Sequence, residues 1–149
     1  MVDRKTMRIY YGSKLKLREY LAMKVLKTYP DKCIACHVCE STCSSLYFKE
    51  DKPELSRIQI HDETNPPQMN VCNQCRACEA VCPTLALAMN KQGVVLLSRN
   101  LCIGCLMCVA ACPIDSMRPA WGRQNPFKCI ACGSCVKTCP ADALEIVEE

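Results

Sequence analysis

The chain has 149 residues, of which 16 are cysteines and only 5% are aromatic, and its formal net charge is +4. This length allows one compact domain or two small halves, but so few large apolar side chains leave a thin core, so bound groups should supply much of the interior. No apolar run of about 18 residues or more is present, so we expect no membrane-spanning helix, and the many thiols favour a reducing compartment, which we take to be the cytoplasm.

The first predicted segment is a basic N-terminal arm, residues 1–23. Residues 1–30 carry eight Lys and Arg against two acids, a net charge of +6, whereas the rest of the chain carries a net charge of −2. Ser13 is placed to cap a short helix over Lys14–Met23. We expect the arm to dock on a partner subunit or on a neighbouring copy of the chain. A loosely ordered terminus and a segment that binds nucleic acid or an anionic membrane are the alternatives.

A strand predicted over Met23–Tyr29 leads into the first of four cysteine runs, each spaced C-x-x-C-x-x-C-x-x-x-C. The runs use every cysteine of the chain: Cys33, Cys36, Cys39 and Cys43; Cys72, Cys75, Cys78 and Cys82; Cys102, Cys105, Cys108 and Cys112; and Cys129, Cys132, Cys135 and Cys139. This is the ligand spacing of bacterial ferredoxins, in which a proline usually follows the run. Pro83, Pro113 and Pro140 follow three of the runs, and Ser44 follows the first. Four complete ligand sets predict four [4Fe–4S] clusters. Disulfides suit a secreted scaffold, but residues 1–20 have no apolar signal-peptide region, and structural zinc fits this spacing poorly.

The segments between the runs are predicted to form short β-hairpins and short helices. The gap after run one contains a strand over Arg57–Ile60, and a turn at Lys91–Gly93 leads to a strand over Val94–Ser98 before run three. A last strand follows run four and ends near Val147. We expect Trp121, between runs three and four, to pack between two halves of the molecule. The predicted fold class is α+β, with two ferredoxin-like halves related by pseudo-two-fold symmetry and built around four [4Fe–4S] clusters.

The lengths of the spacers predict which runs belong together within a four-cluster domain of residues 24–149. Nineteen residues separate Cys82 from Cys102, a hairpin-sized connection, so runs two and three should form an inner half and runs one and four an outer half. In two-cluster ferredoxins the fourth cysteine of a run binds the neighbouring cluster. Crossed ligation of this kind gives four sets: Cys33, Cys36, Cys39 and Cys139; Cys129, Cys132, Cys135 and Cys43; Cys72, Cys75, Cys78 and Cys112; and Cys102, Cys105, Cys108 and Cys82. The alternatives pair run one with two and run three with four, or let each run bind its own cluster.

Side chains inside the runs give weaker signals. His37 and Arg76 occupy the same position in runs one and two, and we expect both to face solvent. Either could instead raise the reduction potential of its cluster, by a protonated ring or by a guanidinium group. Gly104 and Gly133 are expected where backbone N–H groups approach cluster sulfurs closely.

The four-run layout resembles the iron–sulfur electron-transfer subunits of molybdenum and tungsten oxidoreductases, formate dehydrogenases and hydrogenases. Segment Asp31–Glu40, followed by Ser56–Ile60, looks most similar to the small ferredoxin-like subunit of tungsten-dependent aldehyde ferredoxin oxidoreductases. The resemblance implies a non-catalytic subunit that carries electrons between a large catalytic subunit, with tungstopterin as its favoured cofactor, and a second redox partner. That second partner would be a flavin- or NAD-linked subunit or a ferredoxin.

The sequence offers no site for a substrate of its own. It lacks a G-x-G-x-x-G motif, a P-loop and a plausible acid–base pair, and cluster ligation uses every thiol. We therefore expect no enzymatic activity and no nucleic-acid binding, and copies could connect through residues 1–23 into a longer wire. The alternatives are a subunit of a hydrogenase or formate dehydrogenase, a free polyferredoxin and, in a different class, an iron–sulfur sensor or nucleic-acid-binding module.

Overall fold

The computed structural model describes residues 22–149. The predicted arm of residues 1–23 and its helix over Lys14–Met23 therefore lie outside the described residues, except for their last two positions. Those two positions are not helical, and Met23 pairs with the end of the chain. Its N–H donates to the carbonyl oxygen of Glu149 at 2.6 Å, and the Glu149 N–H donates back at 2.9 Å. Met23 thus belongs to the folded body.

The strands of residues 22–149 form three two-stranded antiparallel sheets. Strand β1 (Lys24–Thr28) pairs with β6 (Leu144–Glu148), β2 (Ile58–His61) pairs with β3 (Gln68–Val71), and β4 (Leu87–Met89) pairs with β5 (Val95–Leu97). In β2, Ile58 and Ile60 are buried and the residues between and after them are not, which is the two-residue period of a strand with one covered face. The strands predicted before run one, after run one, before run three and at the chain end are confirmed.

Four helices of residues 22–149 begin inside the cysteine runs: α1 (Val38–Phe48), α2 (Ala77–Ala80), α3 (Met107–Ala110) and α4 (Ser134–Thr138). The last three are short and end before the Cys-Pro pair, because proline cannot continue a helix. In run one Ser44 stands in place of proline, and α1 runs on for 11 residues. The Ser44 hydroxyl donates to Glu40 O at 3.0 Å and accepts the Lys52 N–H at 3.3 Å, which fastens the following turn to the helix.

The packing of these elements follows two groups of runs. Helix α1 packs on α4 and β1 on β6, whereas α2 packs on α3 and β4 on β5. The buried apolar residues form two clusters to match. The first includes Leu26, Ile58, Ile60 and Leu144, and the second includes Leu87, Val95 and Met117. The described fold is a small α+β structure compatible with the ferredoxin-like class; its pseudo-two-fold symmetry stays a prediction.

Two features differ from the sequence prediction. Trp121 was expected to pack between the halves, and this is wrong: its side chain is 97% exposed, in a turn completed by Gly122 at φ +74°. The buried aromatic residue of this linker is Phe127, whose ring lies edge-on to Phe48 at a centroid distance of 5.0 Å. Strand β3 (Gln68–Val71) was not predicted. Its polar and apolar side chains alternate over only four residues, which is too short a signal to be recognised alone.

Candidate metal centres

Each cysteine run curls through two residues in the left-handed region of backbone conformation. The third residues of the runs have φ between 52° and 71°, and the fifth residues have φ between 58° and 79°. These residues are Ala35, Gln74, Gly104 and Ala131, and His37, Arg76, Leu106 and Gly133. Left-handed turns of this kind bring successive backbone N–H groups to the inside of a loop, where they form a concave site for an anionic group.

Backbone N–H groups also point at cysteine sulfurs. The first cysteines of runs one, two and four each accept the N–H two residues on, at 3.4–3.5 Å. The fourth cysteines of runs two, three and four each accept the N–H four residues on, at 3.3–3.4 Å. Cys43 is the exception, because α1 continues past it; it accepts the N–H of Arg57 at 3.3 Å instead. Such N–H···S bonds favour the thiolate and tune an iron–sulfur centre.

Four small cavities lie inside these loops, and each is lined by four cysteines. Cavity A is lined by Cys33, Cys36, Cys39 and Cys139; cavity B by Cys129, Cys132, Cys135 and Cys43; cavity C by Cys72, Cys75, Cys78 and Cys112; and cavity D by Cys102, Cys105, Cys108 and Cys82. The structure therefore brings together the four sets that crossed ligation requires. The bonds from these sulfurs to iron stay a prediction.

The charge of a cysteine in one cavity affects the pKa of a cysteine in the neighbouring cavity. Burial raises the pKa of Cys135 to about 12, and the charge of Cys39 in cavity A adds to this increase. Burial raises the pKa of Cys129 to about 11, with a smaller contribution from Cys72 in cavity C. Burial raises the pKa of Cys78 to about 11, with a smaller contribution from Cys108 in cavity D. These effects link cavity A with B, B with C and C with D.

The chemistry of the cavities fits [4Fe–4S] clusters. Buried thiols with raised pKa values stay protonated until a metal displaces the proton, and a coordinated thiol is deprotonated outright. In residues 22–149 no three His, Cys, Asp or Glu side chains converge as ligands of a single metal ion do. A cluster is larger than one ion, because its thiolates bind separate iron corners. Each cavity offers four sulfurs for such a group, with a nest of N–H donors around it.

Cavity B also carries a half-buried cation that sequence reasoning missed. The Arg57 guanidinium lies 3.7 Å from the ring centroid of Tyr47, and both residues line the cavity. One guanidinium N–H donates to Lys128 O at 3.0 Å, but the Nε atom is buried and has no hydrogen-bond partner among the described residues. An unpaired buried donor is costly unless an acceptor occupies the space beside it. An anionic cluster bound in cavity B would bring acceptors to this side of the site.

A second polar group joins cavities B and C. Gln74, in run two, is fully buried and donates from Nε2 to Cys129 O at 3.1 Å. Its Oε1 accepts the Val95 N–H at 3.1 Å and the ammonium group of Lys128 at 2.8 Å. Lys128 is only 5% exposed. Sequence reasoning missed both residues, because lysine and glutamine are normally surface residues; the one available signal was their position inside or beside a run.

The two side chains singled out within the runs have local partners. His37 Nδ1 lies 2.5 Å from Glu40 Oε2, and this hydrogen bond raises the pKa of His37. Glu40 is buried and its other oxygen accepts the Ile60 N–H at 2.7 Å, so it fastens run one to β2. Arg76 Nε donates to Glu79 Oε2 at 2.7 Å and its side chain is 39% exposed. Both side chains are partly exposed, as expected, but each is held by a carboxylate of its own helix.

Comparison with known proteins agrees with this chemistry. Three segments each match a family model described as "4Fe-4S dicluster domain": residues 32–86, 71–116 and 94–140. Each match contains two consecutive cysteine runs. The three overlap, and together they cover residues 32–140.

Several curated proteins are similar to part of the chain. One is the "Aliphatic sulfonate oxidoreductase, polyferredoxin-like subunit" of Pyrococcus furiosus, 39% identical over 90 residues that make up 56% of this chain and 51% of the relative. Another is a component of the anaerobic dimethyl sulfoxide reductase of Haemophilus influenzae, 29% identical over 105 residues (58% and 50%). A third is the thiosulfate reductase electron transfer subunit of Salmonella typhi, 32% identical over 95 residues (55% and 48%). The chain spans about half the length of the curated relatives it matches.

Within residues 22–149, no helix has the length and apolar character that a membrane crossing requires.

The cofactor prediction is confirmed at the level of chemistry, because sixteen cysteines and three dicluster matches fit four [4Fe–4S] clusters. The chain is similar to polyferredoxin-like and electron-transfer subunits of oxidoreductases, and its residues 32–140 match 4Fe–4S dicluster domains.

Proposed function

We propose that this chain is a non-catalytic electron-transfer subunit that holds one [4Fe–4S] cluster in each of cavities A, B, C and D. The observation that carries the proposal is the lining of the four cavities: each has four cysteines, three from one run and the fourth from another. When bound, such clusters supply one-electron oxidation and reduction. The residues of this chain bind the clusters through sixteen thiolates and surround them with N–H donors.

The packing of α1 on α4, the Gln74–Cys129 hydrogen bond and the packing of α2 on α3 support a linear order A–B–C–D, with A and D at the ends. Electron tunnelling weakens steeply with distance, so a protein-sized path needs several closely spaced centres in series. The second cysteine of every run, Cys36, Cys75, Cys105 and Cys132, is exposed, so each centre lies near the surface. A path of this kind lets electrons enter near one end and leave near the other.

Exposed apolar side chains favour the D end as a contact for a protein partner. Ile103, Leu106 and Met107 line cavity D and are 60%, 39% and 50% exposed. Leu101, two residues before Ile103, is 52% exposed, and Leu85, three residues after Cys82 of the same cavity, is 74% exposed. Apolar groups concentrated beside a redox centre suit a docking face, because partner binding removes them from water and shortens the path for electrons. Basic residues 1–23 are our second proposed contact, for a partner or for another copy.

The proposed partner is the large catalytic subunit of a molybdenum or tungsten oxidoreductase. The similarity of Asp31–Glu40 and Ser56–Ile60 to the small subunit of tungsten aldehyde oxidoreductases favours tungstopterin and an aldehyde substrate. The named relatives belong to sulfonate, dimethyl sulfoxide and thiosulfate enzymes, so the same subunit type serves several catalytic chemistries. We propose the cytoplasm as its location, because sixteen thiolates need a reducing compartment.

The test is anaerobic purification of the native complex through a tag on this chain. We expect a larger subunit to co-purify with tungsten, and its substrate to bleach the visible iron–sulfur absorbance in the absence of any other reductant. Molybdenum in place of tungsten would overturn the aldehyde oxidoreductase assignment but keep the electron-transfer function. A chain that keeps its clusters, purifies alone and accepts no electrons from any co-expressed catalytic subunit would contradict the subunit proposal.

Deletion of residues 2–20 tests the arm: a complex of unchanged size would exclude docking through it.

A further inference from the structure

The junction between cavities B and C contains a buried lysine, Lys128, whose charge has no carboxylate partner among residues 22–149. Its side chain is 5% exposed, and within the described residues it forms no ion pair. Its ammonium group donates to two neutral acceptors, Gln74 Oε1 at 2.8 Å and Cys129 O at 3.1 Å. A buried lysine is rare unless an opposite charge compensates it, because an ammonium group loses much of its hydration on burial.

Lys128 lies against cavity C and next to cavity B. It lines cavity C together with Cys78, and its ammonium group donates to the carbonyl oxygen of Cys129, whose side chain lines cavity B. Clusters bound in these two cavities would be the negative groups nearest to this charge.

A second, half-buried cation, Arg118, lies near the same junction. Arg118 donates to Ser56 O and to Asn70 Oδ1, both at 2.8 Å, so its polar contacts too are neutral. Burial lowers the pKa of Arg118, and nearby anions, among them Glu40, Cys112 of cavity C and Cys43 of cavity B, oppose this decrease. The two cations, Lys128 and Arg118, are called the junction cations below.

We propose that the junction cations are built-in counter-charges for the two central clusters, and that Lys128 sets their reduction potentials above the values the same ligands would otherwise give. An added electron makes a cluster more negative, so a fixed buried cation stabilises the reduced form. Screening by salt is weak at a buried site, which makes the effect larger than that of a surface charge. The central pair then holds electrons more readily than the ends and links the two halves electrostatically. This inference rests on the proposed function, because it requires clusters in B and C.

Redox titration of the anaerobic holoprotein, followed by electron paramagnetic resonance, tests the inference. We expect Lys128→Gln to lower two of the four midpoint potentials by the equivalent of about tenfold in the reduction equilibrium, or about 59 mV for a one-electron couple. Lys128→Arg keeps the charge and should keep the potentials. Lys137→Gln removes an exposed lysine from run four, which Lys128 directly precedes, and is the matched control; all four potentials should stay within a small fraction of that shift.

Each outcome decides between the alternatives. Four unmoved potentials in Lys128→Gln, or an equal shift of all four, would overturn the inference. If Lys128→Gln does not assemble four clusters, Arg118→Gln examines the same two potentials. If both neutral variants fail to assemble four clusters but Lys128→Arg assembles all four, the result supports a requirement for positive charge at the junction. If all three variants fail to assemble, the result contradicts that requirement. A wild-type protein without four reducible clusters would defeat the proposed function itself, which separates the two failures.

Discussion

Gln74 and Cys129 are joined by a 3.1 Å hydrogen bond from the Gln74 amide to the Cys129 carbonyl oxygen, and this bond links run two to run four. The same side chain accepts the Val95 N–H and the Lys128 ammonium group. One fully buried glutamine thus satisfies three groups from two other segments of the chain. It stands where the two cluster-binding halves meet.

Gln74→Ala should therefore destabilise the holoprotein more than an ordinary surface truncation. The change leaves the buried Val95 N–H without its partner and takes one hydrogen bond each from Lys128 and Cys129, which keep the bond between them. Each buried group that water cannot reach costs about 1–3 kcal/mol. We expect the temperature at which the visible cluster absorbance is lost to fall by about 5–10 °C. Gln92→Ala, at an exposed position of the β4–β5 turn, is the control and should change this temperature little. Equal effects of the two substitutions would contradict the role given to Gln74.

Gly93 provides a test of how the start of the described chain is anchored. At φ +74° any Cβ is strained, and a Cβ on Gly93 would also lie 2.6 Å from Met23 Cα and closer still to Ala22 O. Gly122 has the same φ of +74° with open space around it. Strain alone costs about 1–2 kcal/mol, so Gly122→Ala should lose about that much, and Gly93→Ala clearly more.

Thermal loss of cluster absorbance in the two alanine variants gives the comparison. A larger loss for Gly93→Ala shows that Met23 is packed on the β4–β5 turn as described. Equal losses would mean that this contact does not restrain the chain in solution.

Crossed ligation can be tested by combining cysteine substitutions. If Cys72 and Cys112 bind the same cluster, the double variant should lose about four irons, no more than either single variant. Cys72 and Cys82 lie in one run but line cavities C and D, so that double variant should lose about eight irons. Iron analysis of anaerobic preparations measures both. The reverse pattern, with the smaller loss for Cys72 and Cys82, would establish self-ligation within the run.

Removal of the clusters should unfold much of the chain. Cysteines make up a large part of the first buried cluster, including Cys39, Cys43, Cys72, Cys129 and Cys135, and each of these five lines cavity A, B or C. Because cluster binding is coupled to folding, chelation under reducing conditions should abolish most of the far-UV circular dichroism signal. Anaerobic reconstitution with iron and sulfide should restore it. A native-like spectrum of the iron-free chain would contradict this coupling.

The sequence predicted the repeating parts of the molecule because their signals are local. Cysteine spacing and the Cys-Pro pairs mark the ligand loops and the ends of the short helices, and apolar residues mark the strands around Leu26 and Val95. Spacer length predicted which runs form pairs, and the two-cluster ferredoxins predicted that paired runs exchange their fourth cysteines. The cavities gather the cysteines in that pattern.

The parts that were missed depend on contacts between distant segments. Lys128 and Gln74 are polar residues whose burial arises from the meeting of runs two and four, which no local pattern encodes. Arg57 replaces the local N–H donor to Cys43 because α1 continues through Ser44. Trp121 was assigned to the interior from its size alone, although the adjacent Gly122 marks a surface turn.

The most direct test of the account is an iron and acid-labile sulfide determination on anaerobically purified protein, combined with electron paramagnetic resonance after reduction by dithionite. We predict about sixteen irons and about sixteen sulfides per chain, with signals from four interacting [4Fe–4S] clusters. A colourless protein, or one with bound zinc and no signal after reduction, would contradict it.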